Sequence, residues 1–195
     1  SIYRTVKGYS VKSVSSDPSN IKEGQIWYNS TAKVIKVSPK ISAWSAGEAL
    51  NDNRKNGSGF GIQTAAVFAG GQAAGGGKEV KTEEYDGTDW TTSGDMSTAR
   101  TQLGGITTGT LTAGLIFGGN VPPGSAPHAG ESNATEEYDG TSWTNGNNMA
   151  TTVTAMGGSG TQTAAFSAGG SEGGTPKNNS QEYDGTSWTN GNNIT

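Results

Sequence analysis

A twelve-residue segment, EYDGTSWTNGNN, occurs twice in this chain without a change, at 137–148 and again at 182–193. A looser copy, EYDGTDWTTSGD, covers 84–95. Self-similarity with a period of roughly 20–50 residues is typical of proteins built from repeated structural units. The repeat constrains the fold more than any other feature, because every copy has to serve the same structural purpose.

Four sequence markers recur in the same order along the chain. They are Trp at 44, 90, 143 and 188; Tyr-Asp-Gly-Thr starting at 85, 138 and 183; the Gly pairs of FAGG, IFGG and SAGG; and the preceding stretches IQTAAVF, TLTAGLIF and TQTAAF. We interpret each unit as four short strands. The first surrounds the glycines of QLGGI or AMGGS, the second ends in Gly-Gly, the third is TEEY or SQEY, and the fourth starts at Trp.

The Asp-Gly step between Tyr and Trp predicts a hairpin turn, because Gly adopts a positive φ without a steric penalty. The flanking Tyr and Trp are then expected to pack across the two strands, and such aromatic pairs contribute roughly 0.2–1 kcal/mol each. The Gly pair predicts a close approach by another backbone or ring. The repeated segment is therefore interpreted as a structural corner and not as an active site.

Composition favours the same conclusion. Only 30% of the residues are hydrophobic and 32 are Gly, yet the chain also holds five Trp, six Tyr and four Phe, which disordered chains lack. No apolar pattern with a period of 3.6 residues is sustained, so we expect no helix longer than two turns. We predict an all-β fold of four-stranded blade repeats, a β-propeller or part of one, preceded by a small N-terminal β-hairpin.

The length of the units varies mainly in one loop, between the second and third strands. Its versions are GQAAGGGKEVKTE, NVPPGSAPHAGESNATE and SEGGTPKNNSQ. A constant scaffold with one variable loop per unit is how many repeat proteins carry binding surfaces, although exposed loops also vary by neutral drift. The residues that we expect to face a receptor are Asn120, Pro122, Pro123, His128 and Lys177.

The first forty residues differ in charge from the rest. Residues 1–40 hold seven Lys or Arg against two acidic residues, whereas the remainder holds six basic and fifteen acidic residues. This contrast predicts two functional parts, an N-terminal segment at 1–40 and the β repeats at 41–195. The basic residues form either a solvated face or a docking surface for an acidic partner.

Two strand-like runs in the first part, Gln25–Tyr28 and Val34–Val37, predict a hairpin. A hairpin alone is marginally stable in water, so we expect a second copy, a neighbouring subunit or the repeats to cover Trp27 and Ile35.

Nothing in the sequence indicates catalysis, a metal site or a cofactor. The chain has no Cys, and its one His is His128, in a variable loop. The neighbouring pairs Glu83-Glu84 and Glu136-Glu137 belong to the repeat, and adjacent strand residues point to opposite faces. We therefore expect no enzyme. No stretch is apolar enough for a membrane span, and the N-terminus lacks the apolar core of a signal peptide, so we expect a protein made in a cytoplasm.

The ordered markers, with the Thr98-Ala99-Arg100 element that follows Trp, resemble the kelch repeat of β-propellers over residues 44–195. The chain departs from that pattern in having Asp-Gly where eukaryotic kelch units usually have Asp-Pro after Tyr. The Thr-Ala-Arg element also becomes NDNR at 51–54 and MATT at 149–152. What the resemblance implies is a propeller of four-stranded blades.

The near-identical copies also resemble repeat proteins of marine bacteriophages, and residues 3–37, with GQIWYNS at 24–30, resemble the leader of phage fibre and appendage proteins. This resemblance implies a virion structural protein, such as a tail fibre. Its N-terminus would attach to other tail or capsid proteins, and its loops would meet a host glycan or protein. The implied anchoring residues are Arg4, Lys7, Lys12, Trp27 and Tyr28.

The resemblance further implies a homo-oligomer, a trimer as in many fibres, located in the virion and assembled in the host cytoplasm, with no nucleic-acid partner and no membrane insertion. The alternatives are a capsid decoration or head-fibre protein without a receptor role, and a carbohydrate-binding module.

Closure of a propeller poses a separate question. Propellers typically have about four to eight blades, and the sequence shows three full units plus an orphan strand at Trp44. Either the natural protein continues with further units, or strands from several chains complete one another.

Overall fold

The computed structural model describes residues 3–6, 9–19, 25–38, 47–123 and 130–195. The chain divides into two compact units, Ser1–Ala46 and Gly47–Thr195. Every regular element within the described residues is a β-strand, which confirms the all-β prediction. The orphan strand at Trp44 lies outside the described residues.

The first unit is one four-stranded sheet in the order β1-β2-β3-β4. Its outer pairs are antiparallel, while β2 and β3 run parallel. The predicted hairpin is confirmed, since Ile26 pairs with Val37 and Asn29 with Val34. The strands are β1 Tyr3–Val6, β2 Tyr9–Val14, β3 Ile26–Asn29 and β4 Val34–Val37.

The second unit contains three four-stranded antiparallel sheets, one for each sequence repeat. The first comprises β6 Ser58–Ile62, β7 Ala65–Ala69, β9 Thr82–Tyr85 and β10 Trp90–Ser93. The second comprises β11 Gly104–Gly105, β12 Gly114–Phe117, β13 Thr135–Tyr138 and β14 Trp143–Asn145. The third comprises β15 Gly157–Thr161, β16 Ala164–Ala168, β19 Ser180–Tyr183 and β20 Trp188–Asn190. These bounds confirm the four predicted strands of each repeat.

Two short antiparallel ribbons accompany the sheets. One joins β5 Arg54–Lys55 to β8 Gln72–Ala73, and the other joins β17 Ser171–Glu172 to β18 Thr175–Pro176. Both lie at the ends of the sheets from which the variable loops leave. Residues 47–123 and 130–195 thus form a row of three sheets and no closed propeller.

The Asp-Gly-Thr corner is a hairpin, as predicted, but its loop has four residues and its turn is held by a carboxylate. Tyr138 pairs with Trp143, and between them Asp139 Oδ1 accepts the N–H groups of Thr141 and Ser142, each at 2.8 Å. Gly140 has a φ of +100°, which explains the Gly. The ring centroids of Tyr138 and Trp143 lie 4.8 Å apart, so the aromatic pair packs across the strands as expected.

At each of the first two Gly pairs, the segment that leads into the next sheet crosses the previous sheet. Gly71 N–H donates to the carbonyl of Arg100 at 2.8 Å, and Gly119 N–H donates to that of Val153 at 2.9 Å. A Cβ placed on Gly71 would lie 2.9 Å from the carbonyl oxygen of Lys55. The predicted close approach of backbone is therefore confirmed.

The sheets pack against one another face to face, so each interface is a thin core layer. Phe60 and Val67 of the first sheet meet Tyr138 and Ile106 of the second, and all four side chains are buried. Phe117 of the second sheet meets Trp188 of the third edge to face, with ring centroids 4.9 Å apart. A low hydrophobic content suffices because the core is divided into such layers.

A buried ion pair lies at the loop end of each of the first two sheets. Arg54 Nη2 lies 2.7 Å from Glu83 Oε1, and Arg100 Nη2 lies 2.6 Å from Glu136 Oε1. Because each arginine precedes its sheet and each glutamate lies on the third strand, the pair fixes the incoming segment to the sheet.

Candidate functional site

The three variable loops form one continuous surface along the same edge of the row of sheets. We call residues 70–81, 118–123, 130–134 and 169–179 the loop surface; residues 124–129 of the second loop lie outside the described residues. Lys78 Nζ donates to Asn120 Oδ1 and to the carbonyl of Val121, which joins the first loop to the second. Glu131 accepts the N–H of Gly173 at 2.8 and 3.0 Å, which joins the second loop to the third. The loops are therefore held in fixed relation to one another.

The predicted receptor-facing residues occupy different positions on this surface. Asn120 connects neighbouring segments. Its backbone N–H donates to the carbonyl of Thr101 at 2.7 Å, its carbonyl accepts the N–H of Thr101 at 3.0 Å, and its side chain accepts from Lys78. Pro122 is half-buried and Pro123 is exposed. Lys177 is paired with Glu172 at 2.8 Å. His128 lies outside the described residues.

An open polar groove of about 340 Å³ adjoins the third loop. Hydroxyl, amide and charged side chains line it, so that both donors and acceptors of hydrogen bonds are available to a hydroxyl-rich ligand. Its lining includes Thr152, Glu172, Lys177, Asn179, Asn190 and Asn193.

A second candidate surface lies on the N-terminal sheet, and Asp17 organises that sheet. Its carboxylate accepts Trp27 Nε1–H at 3.0 Å, Asn29 Nδ2–H at 2.8 Å and Lys36 Nζ at 2.5 Å. These bonds, with Lys36 the strongest, lower the pKa of Asp17 to about 2. Trp27 is only 4% exposed, so neither a second copy nor a neighbouring subunit is needed to cover it. The role of Asp17 was missed from the sequence alone.

The opposite face of the same hairpin is apolar and uncovered. Ile26 pairs with Val37 and Tyr28 pairs with Ile35, so these four side chains share one face. Ile35 is 65% exposed, Ile26 and Val37 are also exposed, and Tyr28 is half-buried. We call these four residues the apolar face. Exposed apolar clusters of this kind commonly mark interaction sites.

The basic residues predicted to anchor the chain are described only in part. Lys12 is exposed on β2. Lys7 lies outside the described residues, as does the side chain of Arg4, whose backbone belongs to β1.

The carboxylates of Glu83, Glu84, Glu136 and Glu137 are occupied by structural partners. Glu83 binds Arg54, while Glu84 on the opposite face accepts the hydroxyl proton of Tyr138, as the strand geometry predicts. No group of three His, Cys, Asp or Glu residues is placed to hold a metal ion within the described part of the chain. Nor does any helix among the described residues have the length and apolarity needed to cross a membrane.

No protein-family model matches the sequence, and no curated protein matches it.

Proposed function

We propose that the chain is a structural protein of a bacteriophage virion, an appendage such as a tail fibre. It attaches to other virion proteins through its N-terminal sheet and presents the loop surface to the host cell. Its three sheets serve as blades of a kelch-like propeller, and the protein acts as a homo-oligomer, for instance a trimer.

The apolar face is the observation that carries this proposal. A small sheet with Ile26, Ile35 and Val37 in solvent gains stability when a partner covers it, because burying apolar area contributes about 25 cal/mol per Å². The same segment holds the surplus of positive charge, which steers it towards an acidic partner surface. Both properties suit a docking module attached to a larger assembly.

The loop surface supports the receptor-binding half of the proposal. Lys78 and Glu131 join loops of different length and composition into one surface, so changes within a loop alter chemistry without disturbing the sheets. The polar groove beside Lys177 suits a glycan of the host surface, whose hydroxyl groups both donate and accept hydrogen bonds.

Attachment is tested with the substitution Ile35→Asp in phage particles assembled with the altered protein. The charge lies within the apolar face, on a side chain that is already exposed, so the sheet is expected to stay folded while incorporation falls. Ala32→Asp is the matched control, since it adds the same charge to the exposed turn of the same hairpin. Normal incorporation of Ile35→Asp would count against attachment through this face.

Receptor binding is tested separately by replacing residues 122–129 with a Gly/Ser segment of equal length. This exchange spares Asn120, Val121 and Glu131, which join the loops. Incorporation is expected to continue while adsorption to host cells falls. Unchanged adsorption on every host would instead favour a capsid decoration or head-fibre protein, and absence of the chain from purified particles would favour a carbohydrate-binding module.

A further inference from the structure

The interfaces between successive sheets of the second unit follow one repeated chemistry. Trp143 Nε1–H donates to Thr82 Oγ1 at 2.8 Å, and one sheet further on Trp188 Nε1–H donates to Thr135 Oγ1 at 2.8 Å. In each interface the later sheet supplies the donor and the earlier sheet the acceptor. The interface therefore has a direction along the row.

The tyrosine of each hairpin corner follows the same rule. Tyr138 donates its hydroxyl proton to Glu84 of the first sheet, and Tyr183 donates to Glu137 of the second at 2.5 Å. Burial and these carboxylates raise the pKa of both phenols, that of Tyr138 to about 12. The phenols thus stay protonated as donors, and each earlier sheet presents a hydroxyl and a carboxylate to the Trp and Tyr of the next.

The third sheet carries the same acceptor positions, and within the described residues no later sheet packs on them. Ser180 and Glu182 occupy the positions of Thr82 and Glu84 in the first sheet. The Ser180 hydroxyl donates to the carbonyl of Asn192 at 2.7 Å, which leaves its oxygen able to accept, and Glu182 is exposed. Phe166 occupies the position of Val67 in the first sheet and of Leu115 in the second. Those two side chains are 1% and 0% exposed, whereas Phe166 is 45% exposed. We call Phe166, Ser180 and Glu182 the trailing face.

Ile194 extends this uncovered area. It occupies the position of Met149, which is 2% exposed in the preceding interface, whereas Ile194 is 50% exposed. The trailing face therefore offers both polar acceptors and exposed apolar area.

The first sheet carries the matching donor set at the other end of the row. Tyr85 and Trp90, which we call the leading face, lie with ring centroids 5.1 Å apart and planes 35° apart. The pair of Tyr183 and Trp188, engaged in an interface, has 5.1 Å and 34°. Both leading-face residues are half-buried, and Trp90 Nε1–H makes a longer bond of 3.2 Å to the carbonyl of Glu48. The aromatic pair is thus already in the geometry that the other interfaces use.

We propose that the trailing face binds the leading face of a second copy of this chain. Tyr85 of one copy donates to Glu182 of the other, Trp90 exchanges the Glu48 carbonyl for the Ser180 hydroxyl, and Phe166 becomes buried. The contact uses different surfaces on the two copies, so it closes into a ring or continues as a filament. A cyclic trimer, the form expected for a phage fibre, is one ring of this kind.

The test measures the mass of the 195-residue chain by analytical ultracentrifugation over a wide range of concentration. The wild-type chain is expected to associate. Phe166→Asp should weaken association by about tenfold or more, because it places a charge at the centre of the buried patch. Tyr85→Phe keeps the ring but removes the donor, and it should weaken association by roughly tenfold. Ala74→Asp is the control, since Ala74 is an exposed apolar residue in the first loop, outside both faces.

A mixing experiment tests the direction of the contact. Phe166→Asp retains its leading face, so a labelled sample should bind to the free trailing face of wild-type chains and reduce the size of their assemblies. Folding of each variant is checked by its near-UV circular dichroism. A wild-type chain that stays monomeric at all concentrations overturns the proposal, and so does association that Phe166→Asp leaves unchanged. Failure of labelled Phe166→Asp to join wild-type assemblies overturns the head-to-tail arrangement.

Discussion

Arg100 and Glu136 form an ion pair at 2.6 Å in which neither side chain is exposed to solvent. Arg100 Nη1 also donates to the carbonyls of Gly118 and Ala134 at 2.9 and 2.8 Å, at the two ends of the second loop. Glu136 Oε2 in turn accepts the N–H of Ser97 at 2.7 Å. The pair therefore closes the base of the longest variable loop and ties it to the segment between the sheets.

The third sheet has uncharged residues at the positions of this ion pair. Val153 stands at the position of Arg100, and Gln181 stands at the position of Glu136. Gln181 Oε1 still accepts a backbone N–H, that of Ala150 at 2.8 Å, and its Nε2 donates to Thr151. Both members of the pair differ together, as expected if one buried charge cannot be kept without the other.

The first prediction transfers the residues of the third sheet to the second. Arg100→Val should cost about 3–5 kcal/mol of unfolding free energy, because it leaves the Glu136 carboxylate buried without its counter-charge. The double variant Arg100→Val with Glu136→Gln should recover more than half of the loss. Urea unfolding followed by Trp fluorescence measures both variants. A double variant that is no more stable than Arg100→Val would show that the ion pair is not the reason for the cost.

The second prediction concerns the aromatic corner. Trp143→Ala should lower the unfolding free energy by about 3–5 kcal/mol, since Trp143 packs on Tyr138 and Phe60 across a sheet interface. Trp90→Ala, at the same position in the first sheet of this unit, should cost less, about 1–2 kcal/mol, because Trp90 is only half-buried. Trp143→Phe keeps an aromatic ring but removes the hydrogen bond to Thr82, and it should cost about 1 kcal/mol. Equal losses for the two Ala variants would mean that the interface contributes nothing.

The fold was predicted more fully from the sequence than the sites were. Strand positions followed from repeated markers such as Tyr138 and Trp143, because period-two pairing and turn residues act locally. The ion pair of Arg100 with Glu136 was missed although both residues had been noticed, since they are far apart in sequence and meet only after the sheet forms. The joints at Lys78 and Glu131 were missed for the same reason.

Which residues of the N-terminal sheet are buried could not be read from the sequence either. Trp27 and Ile35 looked alike as apolar strand residues, but Trp27 pairs with Lys36 and Ile35 pairs with Tyr28, which places them on opposite faces of the hairpin. Trp27 is buried and donates to Asp17, whereas Ile35 is exposed. The acceptor of the indole lies ten residues upstream, and no local pattern reveals it.

The third prediction is a loss of stability in acid that comes from the hairpin corners. In the folded chain, hydrogen bonds from two backbone N–H groups lower the pKa of Asp86, Asp139 and Asp184 below the ordinary value of 3.8. A lowered pKa in the folded state contributes stability above the unfolded value, and that stability is lost as the pH falls through the folded value. The thermal midpoint should therefore drop below about pH 4.

The matched variant for this prediction replaces all three residues by Asn. An Asn side chain still offers Oδ1 to the two backbone N–H groups but has no charge to lose. Its thermal midpoint should depend less on pH between about 4 and 2 than that of the wild-type chain. Identical pH profiles for the two proteins would assign the acid sensitivity to other carboxylates.

The last prediction concerns Asp17 and the N-terminal unit. Asp17→Ala removes the acceptor of Trp27, Asn29 and Lys36 together, so the Trp27 indole N–H should lose its protection from hydrogen exchange. The measurement is exchange of the indole N–H signals in two-dimensional NMR, where Trp90, Trp143 and Trp188 report on the repeats. The signals of these three residues should not change, since they belong to the other compact unit. Asp52→Ala is the control, because it removes an exposed carboxylate paired with Lys81 in the second unit.

The pKa of Asp17 adds a condition that makes this test sharper. Because its folded pKa is about 2, the wild-type carboxylate should keep the Trp27 indole protected well below the ordinary value of 3.8 and lose it only as the pH approaches 2. Asp17→Ala should show fast exchange throughout that range. Protection that survives in Asp17→Ala would mean that packing alone holds Trp27, and the carboxylate would then have no part in shaping the sheet that exposes Ile35.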